Sequence, residues 1–370
     1  MRVLIAPDSF GGTLRADQAA SAISSGWLMT NPVDRVIELP LSDGGPGFVS
    51  AVAAALGASL HQVVVTGPLG DQVPALFATQ GNQAWIEAAS ACGLHLLDNS
   101  VLNPEITTSI GVGELIAAAI NQGATHITVG LGGTCTNDGG SGMLAALGAT
   151  SKSARLDDGG VALVGIEDID LGLVHHALEG VTLVAASDVD NPLLGLRGAT
   201  ATFAQQKGAD DFAVMRLESA MTNFAKVCGK RADGKDASVA LGAGAAGGLG
   251  FALIHLGAKR LEGITAVMQM LRFEEQLQEC DLVITGEGCL DDQTLHGKVC
   301  MGVAQRAAKM GIPCVVLAGE VRIGKREISH VGIDSAYAMK DLVGREASLA
   351  QPYDSLQSLA ARVAKTWGRR

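Results

Sequence analysis

Short runs of β-branched and aliphatic residues alternate along the chain with longer alanine-rich runs, whose apolar positions recur every three or four residues. The short runs predict strands, and the longer runs predict amphipathic helices. We expect strands at residues 3–6, 36–39, 62–66, 84–87, 126–131, 182–186, 281–285 and 314–318. We expect helices after Thr13 and at residues 113–122, 211–228, 246–256, 265–271 and 299–309. Because strands and helices alternate, the pattern predicts βαβ units with largely parallel sheets, which is an α/β fold.

The length of the chain indicates two domains, because 370 residues exceed what one hydrophobic core usually serves. The strand–helix pattern of the first residues resumes in the same style from residue 281 onward. We therefore expect residues 1–62 and 282–370 to form one α/β domain with a Rossmann-like or flavodoxin-like parallel sheet. Residues 63–281 are expected to form a second α/β domain inserted in the chain.

Composition and charge narrow the function. Glycine supplies 48 residues, nearly twice its usual share of about 7%, and its clusters predict tight turns and loops that approach ligands closely. The net charge of −11 disfavours nucleic-acid binding, because no basic stripe could replace the phosphate counterions. The opening MRVLIAPDSF is too short and too quickly polar for a signal peptide or membrane span. We therefore expect a cytoplasmic protein that acts on a small molecule.

Seven cysteines are scattered along the chain without a CxxC pair, which is typical of reduced thiols. Cys289, His296 and Cys300 share one loop-rich stretch and offer an alternative interpretation as metal ligands. Their spacing matches no common zinc pattern and brings no clear fourth ligand, so we favour reduced thiols.

Five glycine-containing segments place polar side chains where a predicted strand ends, and ligands of open α/β sheets bind at that edge. The first, APDSFGGTL, offers Asp8 and Ser9, with backbone N–H groups that could bind an anion. The second, LSDGGPG, offers Asp43. Taken alone, each of these two segments is explained better by a capped turn.

The third segment, GLGGTCTNDGGSGML, contains more glycine, hydroxyl and amide groups than a turn requires. Its residues Gly132, Gly133 and Thr134 could direct several N–H groups at one oxyanion. Asn137 and Asp138 follow, and Asp138 could bind Mg²⁺ or a substrate hydroxyl.

The fourth segment, ASDVDNPLLG, carries Asp188, Asp190 and Asn191. Two carboxylates two residues apart on an extended segment face the same side, which is costly unless a cation or hydroxyl donor lies between them. The fifth segment, ITGEGCLDDQTLHGK, places Glu287 and Gly288 at a strand end with Lys298 shortly after, which predicts a nucleotide or metal site.

The run LGAGAAGGLG satisfies GxGxxG, which keeps a dinucleotide-dependent dehydrogenase as an alternative. That motif requires a strand directly before it, and KRADGKDASVA is a poor strand. The chain also lacks a GxxxxGK[ST] phosphate loop. We interpret Gly244 and Gly247 as the start of a helix that approaches a ligand.

Ten strings in this order resemble the bacterial type-one glycerate kinases over residues 1 to about 320. They are APDSF, SDGG, VTGPLG, IEAASACGL, TTSIGVGELI, GGTCTNDGG, SDVDNPLLG, QQKGA, GAGAAGGLG and TGEGCLDDQTLHGK. The resemblance implies transfer of a phosphoryl group from ATP, with Mg²⁺, to D-glycerate or a similar hydroxy acid, usually at the 2-hydroxyl. It also implies two α/β domains with the active site in the cleft between them.

Phosphoryl transfer depends mainly on positioning and charge neutralisation, and on that basis we assign roles. We expect Asp188 and Asp190 to orient or deprotonate the glycerate hydroxyl, or Asp190 to share Mg²⁺ with Glu287. Backbone N–H groups of residues 132–140, Gly244, Gly247 and Gly288 would hold phosphates. The remaining substrate contacts are expected from Asp8, Ser9, Asp43, Asn137, Asp138, Asn191, Lys207 and Lys298.

Three positions depart from the family pattern, and each departure removes a charge. Gly11 stands where PDSFKG has lysine, Pro46 where DGGEG has glutamate, and Cys289 where TGEGR has arginine. A charge-assisted hydrogen bond contributes roughly 1.5–3 kcal/mol. The chain is therefore either a kinase, with an altered substrate or with cations supplied from elsewhere, such as Arg197, Lys259 or Arg260, or a relative that binds a small acid without turnover.

Overall fold

The structure, a computed structural model, describes residues 1–42, 44–291 and 299–368. The chain divides into two compact units. The terminal unit comprises Met1–Asp43, Ala54–Leu56 and Ile264–Arg370, and the central unit comprises Gly44–Ala53 and Gly57–Gly263. The domain limits expected from the sequence, residues 62 and 281, stay a prediction.

Strands and helices alternate through both units. In chain order, the strands of the described residues are β1 (Arg2–Ile5), β2 (Arg35–Glu38), β3 (Ser59–Thr66), β4 (Gln72–Gln80), β5 (Gln83–Glu87), β6 (His126–Gly130), β7 (Thr182–Ala186), β8 (Lys259–Leu261), β9 (Leu282–Leu290), β10 (Cys314–Val321) and β11 (Ser335–Ala338). The sequence pattern predicts eight of these and misses β4, β8 and β11. Pro74 interrupts the pattern of β4, β8 has only three residues, of which Lys259 and Arg260 are charged, and β11 (SAYA) contains no β-branched residue.

The α-helices of the same residues are α1 (Ala16–Thr30), α2 (Phe48–Leu56), α3 (Ala89–Cys92), α4 (Ile110–Asn121), α5 (Ser141–Ala146), α6 (Gly172–Ala177), α7 (Ala199–Phe203), α8 (Asp211–Cys228), α9 (Ala245–His255), α10 (Gly263–Met270), α11 (Phe273–Gln278), α12 (Val299–Met310), α13 (Lys325–His330), α14 (Met339–Val343), α15 (Arg345–Ala350) and α16 (Pro352–Trp367). In the part of the chain that the structure describes, none of these helices has both the length and the apolar character needed to cross a membrane.

The terminal unit contains a five-stranded sheet in the order β2-β1-β9-β10-β11, with every neighbouring pair parallel among the described residues. Counted within this unit, the order is 2-1-3-4-5, the flavodoxin-like order. The predicted α/β fold with such a sheet is confirmed. Its strand order reverses between β1 and β9, and ligands of this architecture bind at the carboxyl ends of the strands flanking that switch point.

The core of the terminal unit forms where α1 and α16 pack together against the sheet. Ile5 and Leu317 of the sheet, Trp27 of α1 and Leu359 of α16 are buried there. The Trp27 indole also donates to the Asp34 carboxylate at 3.0 Å, so the ring is satisfied at its polar edge.

The central unit contains a six-stranded sheet in the order β3-β4-β5-β6-β7-β8 within the described residues. Strands β5 to β8 are parallel, whereas β3, β4 and β5 pair antiparallel, so the second sheet is mixed. The residues Glu87, Gly130 and Ala186 are in register at the carboxyl ends of β5, β6 and β7. The loops that follow these strands therefore leave the sheet side by side.

The glycine-rich run of residues 242–250 packs its main chain directly onto the loop after β6. The N–H of Gly139 donates to the carbonyl of Gly247 at 3.0 Å, and a Cβ placed on Gly247 would lie 1.9 Å from the Thr136 carbonyl oxygen. Gly247 has φ +63, and its neighbours Ala246 and Gly248 also have positive φ. Regular helical geometry in α9 therefore begins only after residue 248, later than the sequence pattern predicts.

Gly247→Ala should destabilise the protein by about 2–5 kcal/mol, because it adds a main-chain clash to the strain of positive φ. Gly57→Ala is the matched control, since Gly57 has φ +64 and open space around its Cβ position. The control should cost only about 1–2 kcal/mol, the backbone strain alone. Chemical denaturation of both variants measures the difference, and equal losses would show that the close approach to Thr136 is unimportant.

Candidate active site

A cavity of about 450 Å³ lies in the terminal unit at its topological switch point. Residues after β1, at the end of β9 and at the end of β10 line it, together with the segment 339–349. Its titratable lining consists of the carboxyl groups of Asp8, Glu287, Asp291 and Glu320, the Cys289 thiol, and the cationic groups of Lys340 and Arg345. Opposite charges on the walls of one cavity suit a ligand that carries both a metal ion and an anionic group.

The acidic wall is built by main-chain pairing between β1 and β9. The Asp8 N–H donates to the Gly286 carbonyl at 2.8 Å, which holds Asp8 beside the end of β9. The Ser9 N–H donates to the Asp8 carboxylate at 2.7 Å. Glu287 is only 6% exposed, so a carboxylate is held in the buried floor of this edge. The predicted site residues Asp8, Ser9, Glu287 and Gly288 therefore line one cavity.

Lys340 and Arg345 form the basic wall of the cavity. Glu320, the residue after Gly319 in β10, lies beside Lys340. Its carboxylate accepts from Lys340 at 2.7 Å and from Arg322 at 2.9 Å. Hydrogen bonds from Arg322 and Lys340 lower the pKa of Glu320 to about 2. Sequence reasoning missed Glu320, although Gly319–Glu320 directly follows the predicted strand 314–318, just as Gly286–Glu287 follows the predicted strand 281–285.

In the central unit, the loop after β6 is folded around the Asp138 carboxylate. Asp138 is fully buried and accepts from the Ser109 N–H and hydroxyl at 2.8 Å each, and from the N–H groups of Gly140 and Gly142 at 3.0 and 3.3 Å. Burial raises the pKa of Asp138, and these donors oppose the rise. The geometry gives Asp138 a role in shaping the loop, and its contact with substrate stays a prediction.

The other predicted groups of this loop are also buried. The Asn137 side chain donates to the Thr200 hydroxyl at 3.0 Å, while its Oδ1 atom has no hydrogen-bond partner among the described residues. The Gly132 N–H donates to the Gly44 carbonyl at 3.3 Å, and Thr134 is only 4% exposed. A Cβ on Gly133 would lie 2.9 Å from the Pro46 ring. Glycine is required here for packing within the unit, whether or not the loop binds a phosphate.

The segment after β7 separates its three polar side chains. Asp188 is half-buried, whereas the Asp190 side chain is 62% exposed and pairs with Arg260 at 2.6 Å. The Asn191 amide donates to the Arg197 carbonyl at 2.8 Å and to the Thr202 hydroxyl at 3.2 Å. The cation next to Asp190 is thus a guanidinium of the protein itself. The Asn191 amide is already hydrogen-bonded to neighbouring residues of the chain.

Phosphate binding at the start of α9, around Gly244 and Gly247, stays a prediction. The Gly244 N–H donates to the Asn191 carbonyl at 2.8 Å, so it is occupied within the unit. A 3₁₀ turn, Ala237–Val239, precedes the GxGxxG run. The dehydrogenase alternative therefore lacks the strand that its motif requires.

The metal prediction concerns Asp190 in the central unit and Glu287 in the terminal unit. Among the described residues, no group of three or more histidine, cysteine, aspartate or glutamate side chains is arranged to bind a metal ion. Mg²⁺ commonly uses only one or two carboxylates, with substrate phosphates and water as its other ligands. Asp43, His296 and Lys298 lie outside the described residues.

Comparison with known proteins places this geometry in a family. Residues 3–368 match the model of the glycerate kinase family. The chain is 39% identical over 373 residues to a glycerate 2-kinase of Escherichia coli, covering 99% of this chain and 98% of the relative. It is 42% identical over 345 residues to a glycerate kinase of Bacillus subtilis, covering 92% and 90%. A Salmonella typhimurium crystal structure assigned as glycerate kinase 2 superposes with a TM-score of 0.83 at 38% identity, covering 100% of this chain and 98% of that chain.

The chain belongs to the glycerate kinase family. The family resemblance read from the sequence motifs is confirmed, and the protein is a phosphotransferase enzyme. Two of the three departures from the family motifs, Gly11 and Cys289, line the same terminal-unit cavity. Cys289 lies directly opposite Glu320 in the pairing of β9 with β10. The third departure, Pro46, packs against Gly133 in the central unit.

Glu87 is a buried carboxylate of this family member to which the sequence reasoning gave no role. It ends β5 and accepts from the Gly47 N–H at 2.8 Å, at the start of α2. Burial raises its pKa to about 7 against hydrogen bonds from the main chain of Gly47, Val49 and Phe48. The signal for it was the string IEAASACGL, whose glutamate ends a predicted strand.

Lys207, predicted to contact substrate, is only 3% exposed and donates to the Thr136 carbonyl at 2.6 Å. Burial lowers its pKa to about 8, although the nearby Cys135, Cys92 and Asp138 oppose the shift. The ammonium group therefore fixes the loop after β6 from inside the unit. Its contact with substrate stays a prediction.

The free energy of unfolding should rise between pH 8 and pH 10, because Lys207 loses its proton at lower pH in the folded protein than in the unfolded chain. Its pKa is about 8 when folded and near 10.5 when unfolded, so the unfolded chain binds more protons in this window. The gain attributable to Lys207 should be about 2 kcal/mol. Urea denaturation of the wild type and Lys207→Met across this range measures it as a changing difference between the two curves. Parallel curves would show that the pKa of Lys207 is not lowered in the folded protein.

Proposed function

We propose that the protein is an ATP- and Mg²⁺-dependent kinase that phosphorylates D-glycerate at the 2-hydroxyl. The terminal-unit cavity is the observation that carries this proposal. It gathers carboxylates and cations at the switch point of a flavodoxin-like sheet, which is where such sheets bind ligands. The family supports glycerate as the substrate, and the relative named glycerate 2-kinase supports the position of transfer.

The acidic wall fits Mg²⁺, which prefers hard oxygen ligands and needs few protein carboxylates when phosphates complete its shell. One or two of the carboxylates of Asp8, Glu287 and Asp291 would hold the ion, with phosphate oxygens and water as its other ligands. Bound there, Mg²⁺ would neutralise phosphate charge as the phosphoryl group moves. The protein's own contribution is to fix these carboxylates at or just beyond the ends of the paired strands β1 and β9, so that little reorganisation is needed during transfer.

In the central unit, Asp188 is the better candidate of the two predicted aspartates for orienting or deprotonating the glycerate hydroxyl. It is half-buried at the carboxyl end of a parallel strand, whereas Asp190 is exposed and already paired with Arg260. A carboxylate that accepts a hydrogen bond from the attacking hydroxyl contributes through position more than through basicity.

A second candidate function is binding of a small hydroxy acid without turnover. The observation in its favour is that Gly11 and Cys289 bring no charge to the cavity. Against it, the same cavity contains Lys340 and Arg345, so its supply of cations does not depend on residues 11 and 289. We therefore favour the kinase.

Purified protein incubated with Mg-ATP and D-glycerate should release ADP and form 2-phosphoglycerate, identified by phosphorus NMR. Glu287→Gln should lower kcat/KM by roughly 100-fold, because it removes a charge from the acidic wall. Glu279→Gln is the control, since Glu279 is exposed and pairs with Arg2 on the surface. Absence of ADP with several hydroxy acids would refute the kinase, and 3-phosphoglycerate would refute the proposed position.

The double variant Gly11→Lys with Cys289→Arg should change kcat/KM for glycerate by less than about threefold. The cavity already has two cations, and Gly11 has φ +50, which a lysine adopts only with some strain. The measurement is a steady-state comparison with the wild type at saturating Mg-ATP. A large gain, or turnover that appears only in the variant, would favour the binding protein that has lost its catalytic charges.

A further inference from the structure

The two cationic side chains that line the terminal-unit cavity are not equally available to a ligand. Four carboxyl groups and two cations line it, so its walls carry an excess of negative charge. A ligand with a carboxylate or phosphate group needs a cation that remains available to it. Lys340 and Arg345 are the two lining cations that could bind such a group.

Lys340 is already engaged inside the protein. Its ammonium group lies 2.7 Å from Glu320, and that carboxylate also accepts from Arg322. Arg345 differs, because its guanidinium forms no hydrogen bond or ion pair with residues 1–42, 44–291 or 299–368. All five of its N–H donors are free to meet a ligand.

We propose that Arg345 is the anion-binding residue of this cavity and receives the carboxylate or phosphate oxygens of one of the two reactants. A guanidinium presents paired donors in a plane, which matches the two oxygens of either group. The inference rests on the proposed function for the identity of the ligand. It rests on the cavity alone for the kind of group that is bound.

The main chain around Arg345 is held in a defined position. Gly344 has φ 83 and ψ 159, a conformation that glycine adopts readily. After it, the Ser348 hydroxyl donates to the Arg345 carbonyl at 2.7 Å, and the Ser348 N–H donates to the Gly344 carbonyl at 3.1 Å. Ser348 is 5% exposed and also lines the cavity. A fixed main chain lowers the entropy lost when the arginine orders on a ligand.

The test compares Arg345→Gln and Arg345→Lys with Arg362→Gln, a change at an exposed arginine of α16. Initial rates give KM for glycerate and for Mg-ATP separately. Arg345→Gln should raise KM for one of them by about 10- to 100-fold, with kcat changed less than about threefold, and Arg345→Lys should recover part of the loss. The reactant whose KM rises identifies the group as carboxylate or phosphate. Arg362→Gln should match the wild type.

A second measurement does not depend on turnover. D-glycerate and inorganic phosphate are each titrated into the proteins while the unfolding temperature is followed. At least one should stabilise the wild type, and Arg345→Gln should need about 10-fold more of it for the same shift. If Arg345→Gln needs more ligand than the wild type, but the wild type does not phosphorylate glycerate, the proposed function fails and the role of Arg345 stands. If Arg345→Gln equals the wild type in both KM values and both titrations, the role of Arg345 is overturned.

Discussion

Close approach of main chain to main chain at the carboxyl ends of the strands is the constraint on which both units depend. A side chain on Gly247 would meet the Thr136 carbonyl, and one on Gly130 would meet the Gly44 carbonyl at 2.4 Å. In the terminal unit, a side chain on Gly286 would meet the Leu317 carbonyl at 2.2 Å. These contacts allow loops to lie flat across the strand ends, so that polar side chains between the glycines take fixed positions. The high glycine content is thus a packing requirement as much as a property of ligand loops.

The acidic residues among those glycines have two different structural roles. Asp138 and Glu87 are buried, and main-chain N–H groups bind their carboxylates, so they hold loops and a helix start in place. Asp8 and Glu287 instead line a cavity. A glycine–carboxylate pattern predicts that a carboxylate stands at a strand end. It does not tell whether the oxygens face inward to main-chain donors or outward to a ligand, because that depends on neighbouring loops that come from elsewhere in the chain.

The sequence pattern predicted the fold well where burial imposes a clear period. The apolar runs of β1, β6 and β9 are central strands with neighbours on both sides, and their positions follow directly from hydrophobicity. It failed at Pro74 in β4, and at Ala246, which has a left-handed conformation beside the close approach of Gly247 to Thr136. The acidic wall of the cavity was predictable from Asp8 and Glu287. Lys340 and Arg345 were not, because they follow a short strand without a glycine–aspartate motif, and only the parallel order β9-β10-β11 brings them to the same edge.

That order also explains how a family member can lack charges at two motif positions and keep a charged cavity. Coulomb energy depends on the distance between groups and on their exposure, and the position of a residue in the chain does not enter. Cys289 leaves β9 without a cation opposite Glu320, yet both oxygens of that carboxylate are occupied by Arg322, which follows β10, and by Lys340, at the start of α14. Because Glu320 takes up these two cations, it leaves Arg345 as the cation without a partner among the described residues that line the cavity. The proposed anion-binding role of Arg345 therefore does not need a cation at position 11 or 289, because the charge available to a ligand depends on all the side chains that line the cavity.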